Sequence, residues 1–251
     1  MRTLLVRGMS AGVVAGLVSL VFAYVVGEPG VEAGIAFEDH AAAHAGEAHG
    51  AELVSRGIQA TLGLAAAAVL YGVAIGGIFA LVYAVVYGRV GRWSPRATSA
   101  TLALVAFLVV FVVPFVKYPA NPPGASDGGS IGQRTGLYLV LVLFSVILAV
   151  GAVGAVGAVV LGRRLAARLG AWNATLLAAG AYLVAVGIVE LLLPVVEETP
   201  ADFPATVLYD FRVASLGGQL VLWTTLGLVF GALVERSSGS RRDRLPSRSG
   251  G

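Results

Sequence analysis

Six stretches of the chain, each at least 20 residues long, contain no Asp, Glu, Lys or Arg. The hydrocarbon core of a bilayer is about 30 Å thick, and a helix needs roughly 20 apolar residues to cross it. Each stretch therefore predicts one membrane-spanning helix, and the second and fourth are long enough to tilt. The stretches are 8–27, 57–88, 97–116, 135–162, 169–189 and 213–234.

The composition supports a membrane protein and excludes several other classes. Charged residues make up 12% of the chain and hydrophobic ones 57%, whereas a soluble domain has about 25% charged residues. The chain has no cysteine, which excludes disulfides and a thiol nucleophile. A transmembrane barrel is disfavoured because its strands alternate polar and apolar residues, and these stretches are apolar on all sides. The sequence therefore predicts an all-α integral membrane protein.

The first stretch is predicted to be a retained helix and not a cleaved signal peptide. Arg2 and Arg7 precede it, as they would in a signal peptide. However, the apolar core of a signal peptide is usually about 7–15 residues long, and this one is longer. No clear A-x-A cleavage site precedes Gly27-Glu28-Pro29.

The positive charges predict the orientation of the six helices. Thirteen of the 17 Lys and Arg residues lie in the two termini and the loops on the same side, and four lie in the alternate loops. Cytoplasmic loops carry the excess of positive charge, so both termini are predicted to be cytoplasmic and the helices to form three outward-pointing hairpins. The basic pI is a consequence of this pattern and does not indicate nucleic-acid binding. Residues 1–236 form the predicted membrane domain, and the Arg- and Ser-rich segment 237–251 is predicted to be a disordered basic tail.

Small residues recur at four-residue spacing within three of the predicted helices. Stripes of this kind let helix backbones approach closely in lipid, where the hydrophobic effect does not drive helix association. They predict close helix packing. The stripes are Gly8, Gly12 and Gly16; Ala68, Gly72, Gly76 and Ala80; and Gly227 and Gly231.

The first outer loop, residues 28–56, contains all three histidines of the chain and six carboxylates. Imidazole nitrogens combined with carboxylate oxygens suit first-row divalent metals. In a helix, His40 and His44 would share a face at i,i+4 spacing, and the many alanines make a helix plausible. The alternative is a solvated acidic linker in which the histidines have no role. The predicted metal ligands are Glu38, Asp39, His40, His44, Glu47 and His49.

Glu190 is the one carboxylate within a predicted span, near its outer end. Ionisable groups in spans are costly and point to function by default, although Glu190 could instead be an interfacial residue paired with Arg212 or Lys117. Each returning limb of the three hairpins also opens with an arginine, and Arg56, Arg134 and Arg212 are separated by 78 residues in each case. The residues predicted to line a transport path at the outer mouth are Glu28, Lys117, Asn121, Glu190, Glu197 and Arg212.

Patterns typical of enzymes lack their structural context. Gly8-Met9-Ser10-Ala11-Gly12 fits G-x-S-x-G, but that motif requires a strand–turn–helix elbow and this copy lies in a predicted membrane helix. There is no G-x-x-x-x-G-K loop and no H-E-x-x-H motif, so neither a self-powered ATPase nor a zincin is expected. The chain is therefore predicted not to be an enzyme.

Several segments of the chain resemble the predicted cobalt transporter subunit family CbtA. The most specific is Lys117-Tyr118-Pro119-Ala120-Asn121-Pro122-Pro123. The others are Gly27-Glu28-Pro29 with the Glu/His-rich loop, Leu169-Gly170-Ala171-Trp172-Asn173-Ala174, Pro200-Ala201-Asp202-Phe203-Pro204, and Phe211-Arg212 before Ser215-Leu216-Gly217. The resemblance runs from about residue 1 to residue 236.

The resemblance implies cobalt uptake linked to cobalamin synthesis in a prokaryotic cytoplasmic membrane, with cobalt as substrate and no permanently bound cofactor. It also implies a small single-span partner subunit of the CbtB type. Because the spans contain few oxygen ligands, a homo-oligomer or this partner would supply the missing ones. The alternative function is a non-transporting membrane scaffold or metal-sensing accessory protein.

Overall fold

The computed structural model describes residues 1–45, 56–89, 92–126, 129–161 and 163–242. Helices account for the regular secondary structure of these residues, which contain no strand. The α-helices are α1 (Arg2–Phe22), α2 (Glu28–Ala45), α3 (Arg56–Ile58), α4 (Leu64–Val86), α5 (Pro95–Ala106), α6 (Val113–Lys117), α7 (Ile131–Leu161), α8 (Arg163–Leu192) and α9 (Ala205–Arg242). Three π-helical segments are Ala23–Gly27, Gln59–Gly63 and Phe107–Val112.

Six helical segments of the described chain are long and apolar enough to cross a membrane, so the predicted six-span, all-α fold is confirmed. The direction of the hairpins, the membrane domain 1–236 and the tail 237–251 stay predictions. The described part of α9 extends to Arg242. The six segments are Arg2–His44, Thr61–Val86, Pro95–Lys117, Ile131–Gly157, Trp172–Leu192 and Ala205–Arg236.

The first helical segment does not stop at Gly27-Glu28-Pro29. It continues through the π-helical turn Ala23–Gly27 into α2, so residues 28–45 of the predicted loop are helical. Proline has no N–H and its ring clashes with the carbonyl four residues earlier, and a π-helical turn relieves both problems. Pro29 stands two residues after this turn, and Pro114 stands two residues after the π-helical segment Phe107–Val112. The two prolines therefore change the helical register without ending the span.

The chain divides into two compact units. Unit 1 comprises Met1–Pro29, Ala48–Ala106 and Val213–Gly251, and unit 2 comprises Gly30–Glu47 and Phe107–Arg212.

Close contacts between glycines join α1 and α4 in unit 1. A Cβ atom added at Gly12 would overlap the carbonyl of Gly72, and one added at Gly16 would lie 2.5 Å from the carbonyl oxygen of Ala68. Gly8 faces Gly76 in the same way. The residue numbers rise on one helix as they fall on the other, so the helices are antiparallel. The predicted close packing through these stripes is confirmed.

The second pair of closely packed helices in unit 1 is α5 and α9. Gly227 lies against Ala103, and its carbonyl oxygen accepts a 2.6 Å hydrogen bond from the buried hydroxyl of Ser99. Arg96 and Glu235 form an ion pair at the end of the same interface. The predicted role of the Gly227 and Gly231 stripe is therefore confirmed as well.

A buried polar chain connects three helical segments in unit 2. The Ser145 hydroxyl of α7 donates a 2.7 Å hydrogen bond to the Val109 carbonyl oxygen in the π-helical segment Phe107–Val112. The i+5 partner of that carbonyl would be Pro114, which has no N–H to donate. Because the one proton of Ser145 is used, the Tyr182 hydroxyl of α8 donates the 2.7 Å hydrogen bond between Tyr182 and Ser145. These bonds satisfy a carbonyl that would otherwise be costly in lipid.

Candidate functional site

Unit 2 contains a polar cavity of about 320 Å³. Its walls come from the end of α6, the connection that follows α6, the first turn of α7, the connection between α8 and α9, and the unit 2 part of α9. The lining residues are Lys117, Tyr118, Pro119, Asn121, Arg134, Val196, Glu197, Glu198, Thr199 and Arg212.

Prolines and a glycine shape the connection that follows α6. Pro119, Pro122 and Pro123 each lack an N–H and cannot continue the helix, so the chain is non-helical after Lys117. Gly124 has a φ of +72°, a backbone conformation that favours glycine. Asn121, in the same connection, lines the cavity.

Arg134 and Glu198 form the central ion pair of the cavity. Their side-chain nitrogen and oxygen atoms are 2.7 Å apart, and the two side chains are 17% and 3% exposed. The Ser130 hydroxyl donates a 2.5 Å hydrogen bond to Glu198, and the Asn121 amide donates a longer one of 3.5 Å. The carboxylate is therefore matched by a guanidinium and two neutral donors, as a buried charge requires.

Arg212, at the end of the unit 2 part of α9, has different partners. It donates a 2.9 Å hydrogen bond to the Asn121 side-chain oxygen and a 3.4 Å hydrogen bond to the Ala120 carbonyl oxygen. Both acceptors are neutral. Arg134 is close enough to Arg212 for the two guanidinium groups to repel each other. The positive charge of Arg212 is therefore stabilised by the dipoles of these two neutral acceptors. Among the described residues, no carboxylate is hydrogen-bonded to Arg212.

Two further charged residues line the cavity without direct partners. Within the described ranges, neither Lys117 nor Glu197 has a hydrogen bond or an ion pair. Glu190 is near enough to Lys117 for an electrostatic interaction, but it does not line the cavity. The lining thus carries three cationic side chains and two carboxylates, and one carboxylate is already paired with Arg134.

Tyr118 closes one part of the cavity wall. Its side chain is buried, and its hydroxyl donates a 2.7 Å hydrogen bond to the Pro194 carbonyl oxygen. This bond ties the connection after α6 to the connection after α8. Burial raises the pKa of the Tyr118 hydroxyl, because the charged phenolate is disfavoured away from water.

Helix α2 packs against the same proline-rich connection through one face. A Cβ atom added at Gly34 would lie 2.5 Å from the Pro123 carbonyl oxygen, and the Phe37 ring contacts the Phe203 ring edge-to-face at 4.8 Å. Beyond these contacts, His40 and His44 are exposed on the last turns of the helix. The two histidines are one helical turn apart, as the i,i+4 spacing predicts.

The structure brings together four of the six predicted path residues, namely Lys117, Asn121, Glu197 and Arg212. Glu190 interacts with Lys117 from outside the lining, and Glu28 belongs to unit 1. Among the predicted metal ligands, Glu38, Asp39, His40 and His44 are exposed on α2, whereas Glu47 and His49 lie outside the described residues. The described residues contain no group of three His, Asp or Glu side chains placed to hold a metal.

Two central residues of the cavity, Arg134 and Glu198, were absent from the predicted site. The sequence did contain one signal for Arg134. The 78-residue spacing of the three arginines relates Arg134 to Arg212, which was part of the predicted site. Glu198 directly follows Glu197, but nothing in the sequence distinguishes the exposed carboxylate from the buried one.

The six apolar helices and the charged lining define this chain as a multi-pass α-helical membrane protein with a charged cavity in unit 2. The chain matches the family described as "Probable cobalt transporter subunit (CbtA)" over residues 1–235. It therefore belongs to the CbtA family, and the predicted resemblance is confirmed. Neither the comparison with curated proteins nor the comparison with solved structures gives a match.

Proposed function

We propose that this chain is the membrane subunit of a cobalt uptake transporter in a prokaryotic cytoplasmic membrane, and that α2 collects the divalent cation on the outer side. The observation that carries this proposal is the pair His40 and His44, exposed at i,i+4 spacing on α2 in a chain of the CbtA family. Helical residues at this spacing have Cβ atoms about 5–6 Å apart, so both imidazoles can approach one metal ion.

The remaining ligands come from side chains close to this pair in sequence. Glu38 and Asp39 precede His40 on α2, and Glu47 and His49 follow His44 in sequence. Nitrogen and carboxylate ligands suit cobalt, nickel and zinc alike. Cobalt is proposed from the family, and the ligand set itself does not select it.

After its collection on α2, the cation is proposed to move to the cavity. Helix α2 is packed on Pro123 through Gly34, and the same connection places Asn121 in the cavity wall. Collection on α2 and passage at the cavity therefore belong to one unit of the protein. A second subunit, a small single-span protein or another copy of this chain, is proposed to provide the oxygen ligands that the spans lack.

The test is accumulation of labelled cobalt in cells expressing this chain with its partner subunit, with nickel and zinc as competitors. A variant with His40→Ala, His44→Ala and His49→Ala is expected to lose most accumulation. Glu32→Ala, which removes an exposed carboxylate of α2 outside the predicted ligand set, is the matched control and is expected to retain it. Membrane content of each variant is measured by immunoblot.

The outcomes distinguish the two candidate functions. Accumulation that is unchanged in the histidine variant would contradict α2 as the collector and leave a transporter. No accumulation by the unsubstituted protein, with the chain present in the membrane, would contradict transport and favour the scaffold or metal-sensing alternative.

A further inference from the structure

The side chains that line the cavity in unit 2 carry one more positive than negative charge, and Glu190 lies near Lys117 outside this lining. Lys117, Arg134 and Arg212 line it, whereas its carboxylates are Glu197 and Glu198. Glu198 is bonded to Arg134 at 2.7 Å. The acceptors of Arg212 are a side-chain amide and a backbone carbonyl, so its positive charge lacks a bonded counter-charge among the described residues.

The two guanidinium groups also repel each other. Arg134 lies near enough to Arg212 for an unfavourable electrostatic interaction between the two positive charges. An oxyanion between them would relieve it. Arginine is suited to this role because its planar fork matches the geometry of carboxylate and phosphate groups.

The charges and the volume of this cavity do not suit a bare divalent cation. Three cationic side chains would repel it, and the Glu198 carboxylate is already bonded to Arg134 and to two neutral donors. The volume of about 320 Å³ is also much larger than a single ion requires, and it falls at the lower end of the roughly 300–1,000 Å³ typical of small-molecule pockets.

Glu197 supplies a negative charge at the cavity. It is exposed at the cavity and has no hydrogen bond or ion pair among the described residues. A ligand that filled the cavity would therefore meet cationic groups from Lys117 and Arg212 and one free carboxylate from Glu197. A metal chelate has this charge pattern, since its oxyanion groups are negative and its metal is positive.

We propose that the cavity binds a small oxyanionic chelator, and that the cation reaches it as the chelate, with the oxyanion facing Lys117 and Arg212 and the metal facing Glu197. This inference rests on the proposed transport function for the identity of the metal. The binding of the oxyanion itself does not depend on transport.

The experiment is calorimetric titration of the purified full-length chain in detergent with citrate, with inorganic phosphate, with Co²⁺, and with an equimolar mixture of Co²⁺ and citrate. Citrate or phosphate alone is expected to bind, and the better of the two identifies the oxyanion as carboxylate or phosphate. Lys117→Gln is expected to weaken this binding by about tenfold or more, because one charge-assisted contact is lost. Lys117→Arg is expected to preserve it.

Two further variants complete the test. Arg89→Gln removes one positive charge in unit 1, where Arg89 donates a hydrogen bond to the Val85 carbonyl oxygen, and it is expected to bind like the unsubstituted chain. Glu197→Gln is expected to leave citrate binding intact and to abolish the tighter binding of the Co²⁺–citrate mixture.

Several results would overturn the inference. Failure of both citrate and phosphate to bind would exclude an oxyanion site, even if the chain accumulates cobalt in cells. Binding of Co²⁺ alone that is unaffected by Lys117→Gln and lost in Glu197→Gln would assign the cavity to the bare cation. Displacement of the bound anion by a short-chain anionic lipid at lower concentration than by citrate would assign it to a lipid headgroup.

Discussion

Arg134 and Glu198 form an ion pair whose nitrogen and oxygen atoms are 2.7 Å apart, and the Glu198 side chain is only 3% exposed. The pair joins the first turn of α7 to the connection between α8 and α9. Ser130 and Asn121 donate further hydrogen bonds to the same carboxylate. The pair therefore holds the wall of the cavity together, and Arg212 and Lys117 are the other cationic groups that line it.

Replacing Glu198 tests this structural role. In Glu198→Gln the Arg134 guanidinium loses its counter-charge, and removing one partner of a buried pair costs roughly 3–5 kcal/mol of the free energy of unfolding. We expect a clearly lowered unfolding midpoint in detergent. In the Glu198→Gln background, Arg134→Gln should lower the stability less than it does in the unsubstituted chain, because the two residues interact directly and their effects are coupled.

Glu197→Gln is the matched control for that prediction. Glu197 neighbours Glu198 in sequence but has no hydrogen bond or ion pair within the described residues. Its unfolding midpoint should stay close to that of the unsubstituted chain. Equal losses in the two variants would show that the Arg134–Glu198 pair does not hold the cavity wall.

The polar chain in unit 2 gives a second prediction. Ser145→Ala removes the donor to the Val109 carbonyl oxygen, and we expect a loss of about 1–2 kcal/mol in the free energy of unfolding, as for polar contacts in membrane helices. Tyr182→Phe leaves that carbonyl bonded and should cost less. Stability is measured by thermal unfolding in detergent.

Pro114 provides the check on this explanation. Pro114→Ala restores a backbone N–H near the Val109 carbonyl. In that background Ser145→Ala should cost less than it does in the unsubstituted chain. An undiminished cost would mean that Ser145 stabilises the protein by packing and not by supplying a missing donor.

Much of the fold could be predicted from the sequence, because lipid imposes a simple rule on it. A span must be long, apolar and internally hydrogen-bonded, so six uncharged stretches were sufficient to predict six helices. The stripe of Gly8, Gly12 and Gly16 was also informative, because small residues repeated every four positions let two helix backbones approach closely in lipid.

The site was only partly predictable, because its geometry depends on contacts distant in sequence. Lys117, Asn121, Glu197 and Arg212 were recognised as polar groups near span ends, and the structure places them around one cavity. The pairing of Arg134 with Glu198 could not be predicted, since either of two adjacent glutamates was a suitable partner. The continuation of the first helix past Pro29 was also unexpected, because proline normally ends a helix unless a π-helical turn absorbs it.

The glycine contacts between α1 and α4 make a third prediction. Gly12→Ala places a Cβ atom against the Gly72 carbonyl, and overpacking of this kind costs about 1–3 kcal/mol. Gly151→Ala has open space around the added atom and should be neutral or slightly stabilising, because alanine favours a helix more than glycine. Thermal unfolding of both variants tests whether Gly12→Ala destabilises the protein and Gly151→Ala does not. A stable Gly12→Ala protein would contradict the close contact.

The hydroxyl of Tyr118 predicts a loss of stability in alkali. Burial raises its pKa above that of a free tyrosine, about 10, so the unfolded chain releases this proton more readily than the folded chain. The stabilising contribution is complete below pH ~10 and declines as the pH rises through the higher pKa of the folded state.

Tyr118→Phe should be less stable at neutral pH, because the 2.7 Å hydrogen bond to Pro194 is lost. It should also show a shallower decline in alkali, measured as unfolding midpoint against pH. An equally steep decline would assign the effect to other groups.

The spacing of the two described histidines gives the final prediction. His40 and His44 are exposed one turn apart on α2, whereas residues at i,i+2 spacing do not face each other. Moving one imidazole by combining His44→Ala with Ala42→His keeps the composition and the charge but separates the two rings around the helix. We expect Co²⁺ affinity, measured by calorimetry at neutral pH, to fall to the level of His44→Ala alone. The matched variant His44→Ala with Ala43→His restores i,i+3 spacing and should recover much of the affinity.

Lower pH should weaken binding in every variant that retains a histidine ligand, because a protonated imidazole cannot ligate a metal. Equal affinity at both spacings would mean that the two histidines do not bind one ion together.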